Sequence, residues 1–185
     1  MKSQISVLKN SLSGDLLDGK FDNGRYSTDA SIYQIMPEAV ILPKNIEDIK
    51  KTIQFSQEHN IPILPRGGGT SQNGQTVNRA IVLDNSKYLN KIIEVDAINQ
   101  TCLVEPGVVL DELNRFLKPY GLWFPVDVST SSRATIGGMA GNNSAGGRSI
   151  RYGIMRDNVM SIDALLSDAS EAHFGLSKDN ISGLH

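Results

Sequence analysis

Three short apolar runs occur in the first half of the chain, and a segment long enough for a helix separates the first two. The runs at 39–43, 61–65 and 80–84 predict three short buried strands, the first of which ends at a proline. Asn45 is expected to cap a helix between the first two strands, with Asp48 in the capping-box position. One face of that helix carries Ile46, Ile49 and Ile53. Strand, helix and strand in this order predict a parallel pair with a right-handed crossover.

The second half of the chain has a different pattern. Residues 91–95 and 101–105 predict a hairpin, and residues 160–166 alternate in polarity as a strand does. An amphipathic helix that ends near 119–121 is marked by Leu110, Leu113 and Leu117. Thr135 is a candidate cap for a short helix. The predicted fold class is therefore α+β, with a small strand–helix–strand parallel layer followed by a more antiparallel sheet.

Length and composition limit the function classes. The 185 residues, 39% hydrophobic and 21% charged, suit one globular domain at 37–175, preceded by a polar arm at 1–36 with one short helix and followed by a loose tail at 176–185. A net charge of −2 argues against nucleic acid as a partner. The single cysteine, Cys102, excludes an intrachain disulfide and a cysteine-based metal site.

Glycine is concentrated in two windows. Four glycines lie between Gly67 and Gly74 and five between Gly137 and Gly147, out of 17 in the chain. Glycine permits positive φ and lets backbone N–H groups form concave anion-binding nests. The first window directly follows a predicted strand, and ligands bind at the carboxyl ends of strands in such sheets. Two windows of this kind indicate one long anionic ligand held at two places, rather than mobile linkers.

The charges along the sequence agree with an anionic ligand. Residues 65–83 and 128–156 contain no Asp or Glu. Basic residues occur within both stretches, at Arg66, Arg79, Arg133, Arg148, Arg151 and Arg156. Arg66 is equally consistent with a phosphate contact and with a surface position beside a turn, whereas Arg148 and Arg151 favour electrostatics on the ligand or substrate side.

The common phosphate-binding motifs do not fit the first window. Gly69 and Gly74 have the Walker spacing, but Gln75 stands where a lysine is required. In the dinucleotide-binding pattern, Gln72 stands at the third glycine. A kinase and a nicotinamide enzyme of that fold are therefore disfavoured.

Several ordered segments together resemble one family. They lie at 65–71, 104–107, 134–138, 151–153 and 156–159. Their order and spacing resemble the FAD-binding domain of the vanillyl-alcohol-oxidase/PCMH superfamily, a two-subdomain fold. The segments at 26–31, 121–129 and 141–153 are similar to those of large FAD-linked oxidases with a C-terminal iron–sulfur region, relatives of D-lactate dehydrogenase, D-2-hydroxyglutarate dehydrogenase and the glycolate oxidase flavin subunit.

The resemblance implies a set of cofactor-binding residues. The first loop would grip the FAD pyrophosphate with Arg66, Gly67, Gly68, Gly69, Thr70, Ser71, Gln72 and Gly74. The flavin side would be lined by Pro125, Thr135, Gly138, Asn142, Ser144, Tyr152 and Gly153. FAD is expected to be non-covalent, because none of the three histidines lies within a glycine window. No residue of this chain is expected to act as a catalytic base or a metal ligand.

The same resemblance implies a function for a longer parent enzyme. That enzyme would oxidise a D-2-hydroxy acid by hydride transfer to flavin N5, and electrons would leave to a quinone, a cytochrome or an iron–sulfur domain. The segment that completes the flavin domain, the substrate domain and the iron–sulfur cysteines are absent, so we expect a C-terminally truncated domain that is inactive alone. The expected location is the cytoplasm, with the inner face of the membrane as an alternative.

Two other functions remain open on the sequence. One is a flavoenzyme similar to UDP-N-acetylenolpyruvoylglucosamine reductase, which the stretch at 123–127 and the pair Arg148 and Arg151 disfavour. The other is a non-catalytic flavin-binding module.

Overall fold

The computed structural model of the protein describes residues 2–176. Its elements in chain order are α1 (Lys2–Ser11), β1 (Asp15–Leu17), α2 (Lys20–Arg25), β2 (Ala39–Leu42), α3 (Ile46–His59), β3 (Ile63–Arg66), β4 (Ile81–Asp84), β5 (Ile92–Asp96), β6 (Thr101–Val104), α4 (Leu110–Leu117), a 3₁₀ turn (Lys118–Tyr120), α5 (Ile136–Gly141), α6 (Ser149–Tyr152), α7 (Met155–Asn158), β7 (Ser161–Leu165) and β8 (Glu171–Gly175). The expected loose tail lies outside the described residues, apart from Leu176.

The chain divides into two compact units. The first comprises Met1–Leu89 with Ser167–Ala169, and the second comprises Asn90–Leu166 and the chain from Ser170 onward. The mixed α+β class predicted from the sequence is confirmed, because the first unit contains parallel strands and the second contains antiparallel pairs.

A four-stranded sheet in the order β1-β2-β4-β3 forms the centre of the first unit. Strands β2 and β3 run parallel to β4, which lies between them. The predicted parallel orientation of β2 and β3 is therefore confirmed, and β4 lies between the two strands. β4 takes the central position because all four of its residues are buried, and the three before Asp84 are apolar. β3 suits the edge of the sheet because Pro65 has no backbone N–H to donate.

The N-terminal arm is more structured than the single short helix that we expected. β1 pairs antiparallel with β2 through Leu16 and Ile41. Ile5 and Leu8 of α1 are buried together with Leu16 in the core cluster of the sheet. The arm is thus anchored on the sheet by apolar side chains, and Leu12 and Leu17 also pack against the core.

The buried carboxylate of Asp48 connects this arm to α3. Its oxygens accept hydrogen bonds from the backbone N–H groups of Ser13 at 2.8 Å, Gly14 at 2.9 Å and Lys44 at 2.9 Å. The predicted cap is confirmed, because the Asn45 side chain accepts from the Asp48 amide at 2.9 Å. The Asp48 side chain, however, serves three other amides. A side chain at position 14 would collide with the backbone carbonyl of Leu42, so this approach requires glycine.

The predicted apolar face of α3 is only partly correct. Ile46 is 57% exposed, whereas the buried residues of this helix are Asp48, Thr52, Ile53 and Phe55. The buried face begins at Asp48 because the carboxylate must reach the amides of the arm. Ile46 therefore lies on the solvent side of the first turn.

Two antiparallel hairpins and α4 make up much of the second unit. β5 pairs with β6, which confirms the predicted hairpin, and β7 pairs with β8. The predicted face of α4 is also confirmed, because Leu110, Leu113 and Leu117 are all buried. The helix continues into the 3₁₀ turn, which ends at Gly121 with φ 70°.

A separate core cluster holds the irregular segments of the second unit. Its buried members are Leu110, Val126, Ala134, Met139 and Met155. They come from α4, α5, α7 and the loops between them, so the segment at 122–128 is fixed by packing although it has no regular structure.

Two negative findings concern the described residues. No helix within 2–176 is long and apolar enough to cross a membrane. No group of three or more His, Cys, Asp or Glu side chains in the same range is arranged to hold a metal ion.

Substitution of Asp48 by alanine is expected to destabilise the first unit strongly. The change leaves three part-buried backbone N–H groups without their acceptor, and we expect a loss of about 2–4 kcal/mol in the free energy of unfolding, measured by urea denaturation. Glu47→Gln, one residue earlier and exposed, is the matched control with an expected change within about 0.5 kcal/mol. Equal effects of the two changes would contradict this role.

The histidine of β8 is expected to titrate above its ordinary value. The Nδ1 atom of His173 lies 2.7 Å from Oδ1 of Asp163, its cross-strand neighbour, and this contact raises the pKa of His173 above 6.5. The resulting stabilisation is fully present below pH 6.5 and is lost as the pH rises through the folded pKa. NMR titration of the ring protons measures the shift, and Asp163→Asn should reduce it, leaving the smaller part that comes from the contact with the Leu176 carbonyl at 3.1 Å. A titration that is the same in both proteins would show that the pair does not form in solution.

Candidate cofactor site

The first glycine window forms a loop that leaves the carboxyl end of β3. Gly69 and Gly74 have φ of 64° and 73°, which confirms the expected need for positive φ. Within residues 2–176, the backbone N–H groups of 67–71 donate no hydrogen bond to the protein. Five consecutive amides are thus available to an acceptor at the end of a parallel strand, where ligands bind in such sheets.

The far side of this loop is closed by Ser71. Its Oγ accepts from the backbone N–H groups of Asn73 at 3.2 Å and Gln75 at 3.3 Å, and donates to the Gln75 side chain at 2.7 Å. The Ser71 side chain therefore shapes the turn. Gln72, at the tip, is exposed and Thr70 is half-buried.

The guanidinium of Arg66 is occupied by the protein backbone. Its Nη1 donates to the carbonyls of Tyr26 at 3.3 Å and Thr76 at 3.0 Å, and its Nη2 donates to the carbonyl of Thr28 at 2.9 Å. Burial lowers the pKa of Arg66, and the charges of Asp84 and its neighbours oppose that shift. The sequence left two roles open for Arg66, a surface position and a phosphate contact. The observed bonds to three backbone carbonyls match neither role as stated. The role of Arg66 in binding FAD stays a prediction.

Although residues 65–83 contain no Asp or Glu, carboxylates from other parts of the chain lie beside the first glycine window. Oδ2 of Asp29 accepts from the Thr76 hydroxyl at 3.0 Å, and the Tyr26 hydroxyl donates to Asp84 at 2.7 Å, beneath the Arg66 guanidinium. Burial and the Asp84 hydrogen bond raise the pKa of Tyr26. Carboxylates remote in sequence thus offset the arginine, so the attraction for an anion at this loop comes from the amides rather than from a net positive charge.

The second glycine window contains α5, whose N-terminal amides are satisfied by the protein. The N–H groups of Ile136 and Gly137 donate to the carbonyls of Val108 and Pro106, each at 2.8 Å. Thr135 Oγ1 accepts from Gly138 at 3.3 Å, which confirms the predicted cap. Thr135 is buried and Gly138 is exposed, so only the latter presents its backbone to solvent.

Asn142 and Ser144 lie together at the end of α5. The Asn142 side-chain amide donates to Ser144 Oγ at 3.2 Å. Ser144 is 9% exposed, and its backbone bonds to Met139 and Met155 join α5 to α7. Of this pair, Asn142 is the exposed member.

Asp127 organises the arginine-bearing end of the second window. One of its oxygens accepts from the Arg148 amide at 2.9 Å, and the Arg148 guanidinium lies 3.6 Å from the other. A side chain at Gly146 would collide with Asp127, so the backbone approach requires glycine. The second acid-free stretch is therefore also accompanied by a carboxylate, one that lies just outside it in the sequence.

Trp123 and Tyr152 contact each other beside Pro125. Their ring centroids are 5.3 Å apart in an edge-on arrangement, and the guanidinium of Arg148 lies 5.2 Å from the Trp123 ring. Both aromatic side chains remain more than a third exposed. Gly153, which follows Tyr152, has φ of 84° and approaches Asp157 closely.

The residues of both glycine windows were predicted from the sequence, but the side chains that hold the windows in place were not. Asp29, Asp84 and Asp127 each fix a window or its arginine, yet none lies within the glycine-rich stretches. Of these, Asp29 and Asp127 lie in segments that the resemblance singled out, at 26–31 and 121–129, whereas Asp84 does not. Pairings across tens of residues have no local signal in a single sequence.

One family matches most of the chain. The family described as FAD binding domain matches residues 37–175. The D-2-hydroxyglutarate dehydrogenase of Escherichia coli is 40% identical over 156 residues, which are 83% of this chain and 15% of that protein. The glycolate oxidase subunit GlcD of Bacillus subtilis is 39% identical over 159 residues, which are 83% of this chain and 34% of that protein.

Solved structures share the fold at low identity. An alkyldihydroxyacetonephosphate synthase is matched with a TM-score of 0.81 at 22% identity, over 95% of this chain and 34% of that one. A 6-hydroxy-D-nicotine oxidase from Arthrobacter nicotinovorans is matched with a TM-score of 0.77 at 18% identity, over 89% of this chain and 36% of that one. The chain therefore spans a minor part of these relatives, and over residues 37–175 it belongs to the FAD binding domain family.

Proposed function

We propose that the loop at 67–71 binds the pyrophosphate of FAD through its backbone N–H groups. The observation that carries this proposal is the run of five amides at the carboxyl end of β3 that have no acceptor among residues 2–176. Gly69, with φ of 64°, turns the backbone so that neighbouring amides can converge on one anion. This arrangement needs neither a lysine nor a helix N-terminus, and the sequence offers neither here.

The surroundings of the loop fit a bound pyrophosphate that is held by dipoles. Arg66 contributes a positive charge that Asp84 and Asp29 offset, so its main effect is to hold the loop ends. Oriented amides stabilise an anion without the cost of desolvating a free cation. The proposal thus assigns Gly67, Gly68, Gly69, Thr70 and Ser71 to backbone contacts. Gln72 and Gly74 are assigned to shaping the loop.

Exposure divides the candidate residues of the second unit into two groups. We propose that Gly138, Asn142 and Tyr152 contact the flavin directly, because each is exposed. Thr135 and Ser144 are buried and would act by holding the end of α5 in place. Pro125 and Gly153 shape the adjoining segments, the latter through its positive φ.

The activity of the whole enzyme is proposed from its relatives. Relatives that match along the sequence are named for D-2-hydroxyglutarate, glycolate and D-lactate, and this supports oxidation of a D-2-hydroxy acid. When bound, FAD supplies the hydride-accepting chemistry. This chain's share is to bind and orient the cofactor, and we assign it no catalytic base. A quinone, a cytochrome or an iron–sulfur domain as electron acceptor, and the cytoplasm or inner membrane face as location, remain parts of the proposal.

Titration of the purified chain with flavins tests the proposal most directly. We expect saturable quenching of FAD fluorescence and no saturation with FMN, because FMN lacks the pyrophosphate that the amides of 67–71 would hold. Equal binding of both flavins would contradict a pyrophosphate grip. Absence of FAD binding, both in this chain and in a longer form that includes the C-terminal region of the relatives, would refute the proposed function.

Two glycines of matched backbone strain separate loop geometry from general stability. Gly69→Ala places a side chain at φ 64° against the Arg66 guanidinium, and Gly121→Ala places one at φ 70° in open space. Each change costs about 1 kcal/mol of backbone strain. We expect the dissociation constant for FAD to rise about tenfold or more for Gly69→Ala only, because the amides then point elsewhere. If Gly121→Ala weakened FAD binding as much, the loop would not be the site.

A further inference from the structure

We propose that the strap, defined as residues 26–36, is the element that positions the FAD-binding loop, with Asp29 as its principal positioning residue. This inference rests on the proposed function, because it assigns to the strap the task of holding the amides of 67–71 in their binding arrangement. The strap is closed on itself by the bridge between Thr28 and Gln34 and by the Ile35 amide, which donates to the Ser27 carbonyl at 2.9 Å.

The strap holds the end of the loop through a carboxylate. Oδ2 of Asp29 accepts from the Thr76 hydroxyl at 3.0 Å and lies 3.4 Å from the Thr76 amide. Oδ1 of the same residue accepts from the Ser31 amide at 2.9 Å. Asp29 therefore joins the turn of the strap to the residue at which the loop ends.

The strap also holds the start of the loop. The Arg66 guanidinium donates to the strap carbonyls of Tyr26 and Thr28 and to the Thr76 carbonyl at the far end of the loop. The guanidinium of Arg66, the residue before the loop, thus connects the start of the loop to the strap and to Thr76 at the end of the loop. Fixed spacing of the two loop ends limits the conformations that the five intervening amides can adopt.

An aromatic contact completes the attachment. The backbone at Gly74, where φ is 73°, lies so close to the Tyr33 ring that a side chain there would come within 2.6 Å of its Cδ2 atom. Tyr33 is 53% exposed, so its packing on the loop is not explained by burial in the core. The Asp29 carboxylate and the Tyr33 ring therefore contact the loop from the strap, and the Arg66 guanidinium contacts the strap from β3. Within residues 2–176, the backbone N–H groups of 67–71 between these contacts have no protein acceptor.

Removal of the Thr76 hydroxyl tests this positioning role. Thr76→Val deletes the donor to Asp29 while keeping side-chain volume, and Thr76→Ser restores it. Thr52→Val is the matched control, because Thr52 also donates from its hydroxyl, to the Asp48 carbonyl at 2.7 Å in α3, away from the loop. We expect Thr76→Val to raise the dissociation constant for FAD about 3- to 10-fold, Thr76→Ser to recover it and Thr52→Val to leave it unchanged.

Backbone dynamics provide a readout that does not need FAD. We expect NMR order parameters of the 67–71 amides to be about 0.85 in the original chain and to fall towards 0.6 in Thr76→Val alone. Unchanged order parameters and affinity, with stability lowered as in Thr52→Val, would overturn the inference. If neither this chain nor the longer form bound FAD, the proposed function would fail, and the order parameters alone would then decide whether the strap positions the loop.

Discussion

Hydrogen bonding of backbone groups by ionised side chains is the interaction on which the first unit depends. Asp48 accepts from three amides of two segments, and Arg66 donates to three carbonyls of two segments. Each places a charge at a point where the chain turns and cannot satisfy its own peptide groups. Hydrogen bonds to charged groups are about twice as strong as those between neutral groups.

The ends of the FAD-binding loop are held by contacts with the rest of the first unit, although the loop is polar and not buried. The sheet contributes the carboxyl end of β3, the strap contributes contacts at both ends of the loop, and the middle is left with unpaired amides. A net positive charge is not required, since Asp29 and Asp84 offset Arg66. The site would select its ligand by the geometry of its dipoles, which suits a pyrophosphate of defined length more than any anion of sufficient charge.

Local patterns in the sequence were sufficient where local physics decides the structure. The α4 face, the β5–β6 hairpin and the Thr135 cap follow from spacing and capping rules, and all three are confirmed. The order of the strands was not accessible in this way, because burial of β4 between β2 and β3 depends on which strand tolerates an edge. The buried face of α3 was predicted only in part for a related reason. The orientation of this helix is fixed by Asp48, which binds a segment distant in sequence, and the spacing of apolar residues does not reveal such a contact. The same applies to the carboxylates beside both glycine windows.

The edge-on contact between Trp123 and Tyr152 has a spectroscopic consequence. Trp123 is the sole tryptophan of the chain and belongs to the second unit, half-exposed beneath the Arg148 guanidinium. Its emission therefore reports the integrity of the second unit and carries no direct signal from the sheet of the first. Far-ultraviolet circular dichroism weighs the helices of both units. Comparison of the two signals during unfolding therefore shows whether the two units unfold together in one cooperative transition or one after the other.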